Sequence, residues 1–272
     1  MMNEEDAAYL KGRKAPIAGS ILTSTSRFLN NPRMRDVYAQ MGLKRDGLDL
    51  PPAYLIPELD RAIAEEFDQE HIEALLAAEK ARLPELAQWL DACFVSNWKD
   101  RDLTHCATGT VGAEIRTFLS ETPFDVDFMF RDAPGSDLAY LQKRRVQNHD
   151  IEHLLTGFDP SQVGEIALIV ANAVAIHAYF EPELAGALTF QPMTLVSTSI
   201  MRMTCHYPDV VPAILEGVAR GQAMGARQER PLFMIRWEDW VDVPLDEARR
   251  SLHIDGGPED GHWAWVDSAS RG

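Results

Sequence analysis

Positive charge is scarce in this chain. Its 272 residues carry 26 lysines and arginines against 42 aspartates and glutamates, a formal net charge of −16 at pH 7. A phosphate backbone demands a basic face, so this balance argues against nucleic acid as a partner. Cysteine is scarcer still. Cys93, Cys106 and Cys205 are odd in number and widely spaced, and none forms a CxxC pair. Unpaired thiols in a reducing compartment are the simplest reading. Long apolar runs are missing too. The longest covers 166–176, with Asn172 inside it, Glu165 before it and His177 after it. That is too short and too polar at its ends for a membrane span, and it reads as a buried core helix. The first six residues are acidic and lack the order of a secretory signal. No internal repeat or low-complexity segment is visible. What is present is core material: 46% of the residues are hydrophobic, enough for one large domain or two small ones.

The apolar spacing is helical through most of the chain, and the expected fold is all-α, a single-domain helical bundle. Residues 1–50 read as an N-terminal arm, partly flexible and weakly basic through Arg33, Arg35, Lys44 and Arg45. Residues 51–255 form the helical domain and 256–272 a tail that includes Trp263 and Trp265. Within the domain, helices are expected over 57–80 with Asp68 as an internal cap, from Pro84, over 138–155, 164–180, 194–205 and 212–223, and over 244–252. Residues 122–132 read as a loop with a short extended piece. The aromatic stretch 231–240 fits either a strand or a buried helical segment. Gly109 and Gly112 lie in a segment that is no phosphate loop, since it lacks the GK[ST] ending. They allow a turn or close packing, and His105 and Cys106 just before them are a minor alternative source of a third metal ligand.

The strongest chemical signal is His149-Asp150-Ile151-Glu152-His153, with Glu165 twelve residues further on. Residues i and i+4 share one face of a helix, so the two imidazoles can meet one metal ion. Thr156-Gly157-Phe158 ends that helix, Gly157 being suited to a left-handed position. Asp159-Pro160-Ser161-Gln162 opens the next, with Asp159 as expected N-cap and Pro160 at the first helical position. A helix–turn–helix hairpin then returns Glu165 toward His153. Asp150 points about 100° away from His149; it ligates from the flank, orients a water or supports a ligand from behind. The plain alternative is an exposed helix end with two solvated histidines. Lys143, Arg144 and Arg145 lie one to two turns earlier. They form either a solvated face or a grip for an acidic substrate group.

These pieces together resemble the fourth protein of the coenzyme Q (ubiquinone) biosynthesis set, in a bacterial-type member. That family carries HDxxH, eleven residues, then glutamate. Here the pattern is His149-Asp150-Ile151-Glu152-His153 and Glu165. The segments Asp137-Leu138-Ala139-Tyr140, Gly109-Thr110-Val111-Gly112, Trp237-Glu238 and Pro244-Leu245 to Arg249 resemble further family segments, over roughly residues 80 to 255. The chain departs from it just before the motif. Where the family commonly reads arginine-tyrosine-arginine-glutamate, this chain has Arg144-Arg145-Val146-Gln147.

The resemblance implies an apolar pocket for a polyprenyl tail and a divalent metal, usually zinc, held by His149, Asp150, His153 and Glu165. It also implies a homodimer. The expected location is cytoplasmic, peripherally attached to the inner membrane surface beside other ubiquinone-biosynthesis proteins. Two activities are implied for a polyprenylated hydroxybenzoate-type precursor. One is oxidative decarboxylation and hydroxylation at the ring C1; the other is scaffolding of the biosynthetic complex. In the first, His149, Asp150, His153 and Glu165 are catalytic, and Lys143 or Arg144 pairs with the departing carboxylate. Zinc has no redox chemistry of its own, so oxygen insertion calls for an electron-rich ring or a redox-active metal. A metal-dependent hydrolase and a non-catalytic prenyl-lipid carrier are the competing expectations.

Overall fold

The computed structural model describes residues 26–45, 55–121 and 132–269. The expected loop at 122–132 therefore lies almost wholly outside the described residues, as does most of the N-terminal arm. Among the described residues there are twelve α-helices and no strand. The helices are α1 (Arg27–Asn30), α2 (Pro32–Leu43), α3 (Ile56–Glu66), α4 (Gln69–Arg82), α5 (Pro84–Ala92) and α6 (Val111–Glu121). They continue with α7 (Asp137–Thr156), α8 (Gln162–Tyr179), α9 (Pro182–His206), α10 (Val211–Gly225), α11 (Leu245–Ser251) and α12 (Ala264–Ala269). The all-α expectation holds.

Helix α8 is the axis of the bundle. Its apolar run leaves no wet face to spare: Ile166, Ala167, Leu168 and Ala171 are fully buried. Among the described residues it is the one helix long and apolar enough to cross a membrane, yet two-thirds of its apolar window is covered by protein. Helix α10 lies along it in the same direction. Val163 meets Gly217, Ala167 meets Gly221, and Ala171 meets Gly225, so the contact repeats every four residues. A β-carbon on Gly221 would collide with the Ala167 carbonyl oxygen. Glycine at that position lets two backbones touch. The long α9 carries the chain back between them and packs on both α8 and α2.

The α7–α8 hairpin forms as the spacing predicts, with one correction. Gly157 closes α7 at φ +74, and its amide donates to the His153 carbonyl. The cap of α8, however, is Ser161, whose Oγ accepts from Gly164 N at 3.2 Å. Asp159 instead accepts from the Ser161 amide and hydroxyl. Both residue types can cap; here the aspartate fixes the serine, and the helix starts two residues late. Glu165 thereby moves into the first turn of α8.

Two further expectations change, and one is narrowed. The stretch at 231–240 is not a strand but a buried helical segment made of two 3₁₀ turns, Leu232–Met234 and Trp237–Asp239. Trp237 and Glu238 are buried there, and Glu238 pairs with Arg144 of α7. The expected tail is part of the core: Trp263 and Val266 are buried, and Trp263 lies over Phe158. The described part of the arm, residues 26–45, packs on the bundle. Helix α2 packs on α9, and Arg33 is paired with Glu58 and Glu65 on α3.

Candidate metal centre and cavity

The hairpin brings three of the four expected ligands together. His149 Nε2 lies 3.3 Å from His153 Nε2, and Glu165 reaches both rings, at 3.1 Å and 2.6 Å. His153 Nδ1 is 2.8 Å from the Phe158 carbonyl oxygen. A carbonyl only accepts, so Nδ1 carries the hydrogen and Nε2 of the neutral ring presents its lone pair to the cluster. That contact exists because Gly157 turns the chain back beneath the histidine.

The cluster is electrically tense. Burial works against a charge on His149, but the Glu165 carboxylate, with Asp150 and Glu152 behind it, outweighs burial and holds the imidazole up at about 9. Burial also works against the Glu165 anion, yet the two histidines keep it well below the usual carboxylate range. Asp150 is half-buried and is not among the converging ligand atoms. It lines the adjoining cavity.

That cavity has a volume of about 290 Å³ and lies among α7, α8 and α9. Leu168, Ile169, Ala173 and Ile176 of α8 and Leu195 of α9 form its apolar side. His149, Glu165, Asp150 and Glu152 form the polar end, with Arg145 and Val146 beside them. The basic residues are distributed differently from the sequence expectation. Arg144 is buried and holds Glu238 through two contacts of 3.0 and 3.2 Å. Lys143 is buried and donates to the Asp132 carbonyl. Neither faces the cavity; Arg145 does. Its guanidinium donates to Gln142 Oε1 at 3.4 Å and, among the described residues, forms no ion pair. Burial pulls its pKa down to about 10, with Glu152 acting in the opposite sense, so it is a cation at neutral pH.

A sequence model of the family described as coenzyme Q (ubiquinone) biosynthesis protein Coq4 matches residues 95–258, more than half of the chain. The chain belongs to the Coq4 family. It therefore has a role in coenzyme Q biosynthesis. Its fold is similar to the crystal structure of a candidate ubiquinone biosynthesis protein from Nostoc punctiforme. The TM-score is 0.57 at 20% identity, over 83% of this chain and 99% of that one. No curated protein matches the chain.

The Coq4 match spans the hairpin, the cavity wall from α7 and α8, and the buried Arg144–Glu238 pair. Two cavity residues escaped sequence reasoning. Glu152 is buried, with Oε2 accepting from Asn172 at 2.9 Å and Oε1 without a partner. Burial raises its carboxyl above the usual range. Glu152 stands inside the motif, about 60° around the helix from His149 and about 100° from His153, and lines the cavity wall. Asn172 was visible as the one polar break in the apolar run, and that break was the available signal.

Proposed function

We propose that this Coq4-family chain is a metal-dependent catalyst that acts on a polyprenylated hydroxybenzoate-type ring acid, replacing the ring carboxylate at C1 with oxygen. The observation that carries the reading is a juxtaposition. Three ligand atoms converge at one end of a largely apolar cavity, and an arginine without an ion pair among the described residues borders the same end.

The donor set fits a divalent cation. Two imidazole nitrogens and a carboxylate suit zinc or a first-row transition ion. The Phe158 carbonyl already selects the tautomer of His153 that binds through Nε2. His149, His153 and Glu165 would hold the ion, with Asp150 at the flank. Such an ion would supply a Lewis acid for electron density left on the ring carbon as carbon dioxide departs. The protein groups supply the rest. Arg145 orients the ring carboxylate by a bidentate contact. This cation stands one residue before Val146, the position where the family resemblance leads one to expect arginine. Glu152 can hold or move a proton at Oε1. The leucine and isoleucine wall excludes water from the ring. Overall, ring acid, dioxygen and two reducing equivalents as hydrogen give phenol, carbon dioxide and water.

A cavity of about 290 Å³ holds the ring and the first part of a tail, near the lower end of ligand pockets at about 300–1,000 Å³. The rest of a polyprenyl chain would run outside, which supports work at a membrane surface. Exposed Tyr38, Leu43 and Met201 gather where α2 meets α9 and offer an apolar contact for it.

The test uses cells whose own protein is absent. His153→Ala, Glu165→Ala and Arg145→Met chains are expressed there and the lipid extract is analysed. The expected result is normal protein level with accumulation of the prenylated ring acid. Normal quinone output from His153→Ala and Glu165→Ala would exclude a catalytic role for the centre and leave scaffolding.

A further inference from the structure

Residues 102–110 form a tight loop before α6, and residues 241–245 dock against it. Val111 N donates to Val243 O, Gly112 N to Val241 O and Leu245 N to Gly109 O, all at 2.8–2.9 Å. The loop is braced from the other side by Arg116, whose guanidinium donates to the carbonyls of Leu103 and Cys106. At this joint three side chains from the two segments point at one another. His105 Nε2 is 3.4 Å from Asp242 Oδ1, and Cys106 Sγ is 3.7 Å from that nitrogen and 3.9 Å from that oxygen.

We propose that His105, Cys106 and Asp242 form a second divalent-cation site, for a thiol-binding ion of the zinc class, with water in the fourth position. None of the three belongs to the His149–His153–Glu165 centre, and the site stands whether or not the proposed chemistry does. Tetrahedral zinc with sulfur, nitrogen and oxygen ligands at their normal lengths sets the ligand atoms about 3.3–3.6 Å apart. The observed triangle needs to contract by only a few tenths of an ångström. Thiolate plus imidazole plus one carboxylate selects zinc, cobalt or cadmium over magnesium or calcium. Both segments are already held by backbone hydrogen bonds, so binding need not pay to order them.

The proton balance is simple. Without a cation, burial, with Asp242 and Asp102 nearby, raises the Cys106 pKa and keeps the thiol protonated. Binding forms the sulfur–metal bond and releases that proton to solvent, while His105 and Asp242 enter as neutral imidazole and carboxylate. The ion would clip together two segments 136 residues apart in sequence. His105 and Asp242 are more than half exposed, which leaves an entry path from solvent.

The metal-stripped full-length protein is titrated with cobalt(II), and the near-ultraviolet thiolate-to-cobalt charge-transfer band is recorded. The His149–His153–Glu165 centre contains no sulfur and cannot produce this band. The expected band saturates at one ion per chain in the His149→Ala/His153→Ala protein, where the sulfur-free centre no longer competes for cobalt. It persists in the Cys93→Ser/Cys205→Ser protein. It disappears in Cys106→Ser, and its apparent affinity falls about tenfold or more in His105→Ala and in Asp242→Asn. These last two positions are exposed, so both variants keep the fold and the comparison does not depend on Cys106→Ser folding. The absence of any thiolate band in the wild-type protein overturns the proposal. So does a band whose affinity neither His105→Ala nor Asp242→Asn alters, because that would be adventitious binding to a single thiol.

Discussion

At the scale of single residues, placement on helix α7 decides chemistry. Arg144 and Arg145 are neighbours in sequence but stand on different faces. Arg144 is shut into a pair with Glu238, 1% exposed on each side. Arg145 borders the cavity. Burial pushes the Glu238 carboxyl upward, but Arg144 and the Ser96 hydroxyl outweigh it, and the folded pKa ends below the ordinary 4.5. Its ionised form therefore stabilises the fold at pH values above the unfolded carboxylate pKa. That contribution is lost as pH falls through the lower folded value. Removing one partner strands a buried charge, at a cost of about 3–5 kcal/mol. Denaturant unfolding of Arg144→Met at pH 7 should show a loss of that size. For Glu238→Gln, the deficit against wild type should shrink as the pH is lowered below about 4.5. An unchanged deficit at acid pH would mean the pair is not the source of the loss.

At the scale of elements, helix α8 does two jobs with two faces. One face carries Glu165, Ile169 and Asn172 to the cavity. The other carries Val163, Ala167 and Ala171 to the glycines of α10. The two glycine classes of this fold predict opposite effects of adding one methyl group. Gly221→Ala forces α8 and α10 apart and should destabilise by about 1–3 kcal/mol or more. Gly186 lies inside helix α9 with no atom within 4 Å of a built β-carbon. Gly186→Ala should therefore stabilise by up to about 1 kcal/mol, the helical preference of alanine over glycine. Equilibrium unfolding of the two variants checks the pair. The same sign in both would refute the close approach of α8 and α10.

At the scale of the whole molecule, the chain is a helical bundle with its polar chemistry at the edge of an apolar cavity. It has no described helix that is both apolar enough and free enough of packing to span a bilayer. The membrane contact proposed above lies at the exposed α2–α9 patch of Tyr38, Leu43 and Met201. In vesicle flotation the wild-type chain should rise with the lipid, and alkaline carbonate should release it. Leu43→Glu/Met201→Glu should bind less while melting at the wild-type temperature, since both side chains are exposed. Retention of the wild type after carbonate would point to an integral anchor; undiminished flotation of the double variant would exclude this patch.

The sequence by itself determined the helical class, the core position of α8 and the meeting of His149, His153 and Glu165. Each of these is local: a 3.6-residue period, an i, i+4 pair, and a hairpin whose glycine and cap lie within a dozen residues. The family motif was legible for the same reason. Contacts between distant segments were decided only in the tertiary structure. Nothing near Arg144 or Arg145 says which one will find Glu238 some 94 positions away. The burial of Trp263 against Phe158, and the meeting of Cys106 with Asp242, depend in the same way on how the C-terminal segments wrap the bundle. Periodicity reports which face of a helix is covered, but the partner that covers it is chosen by packing across the whole chain.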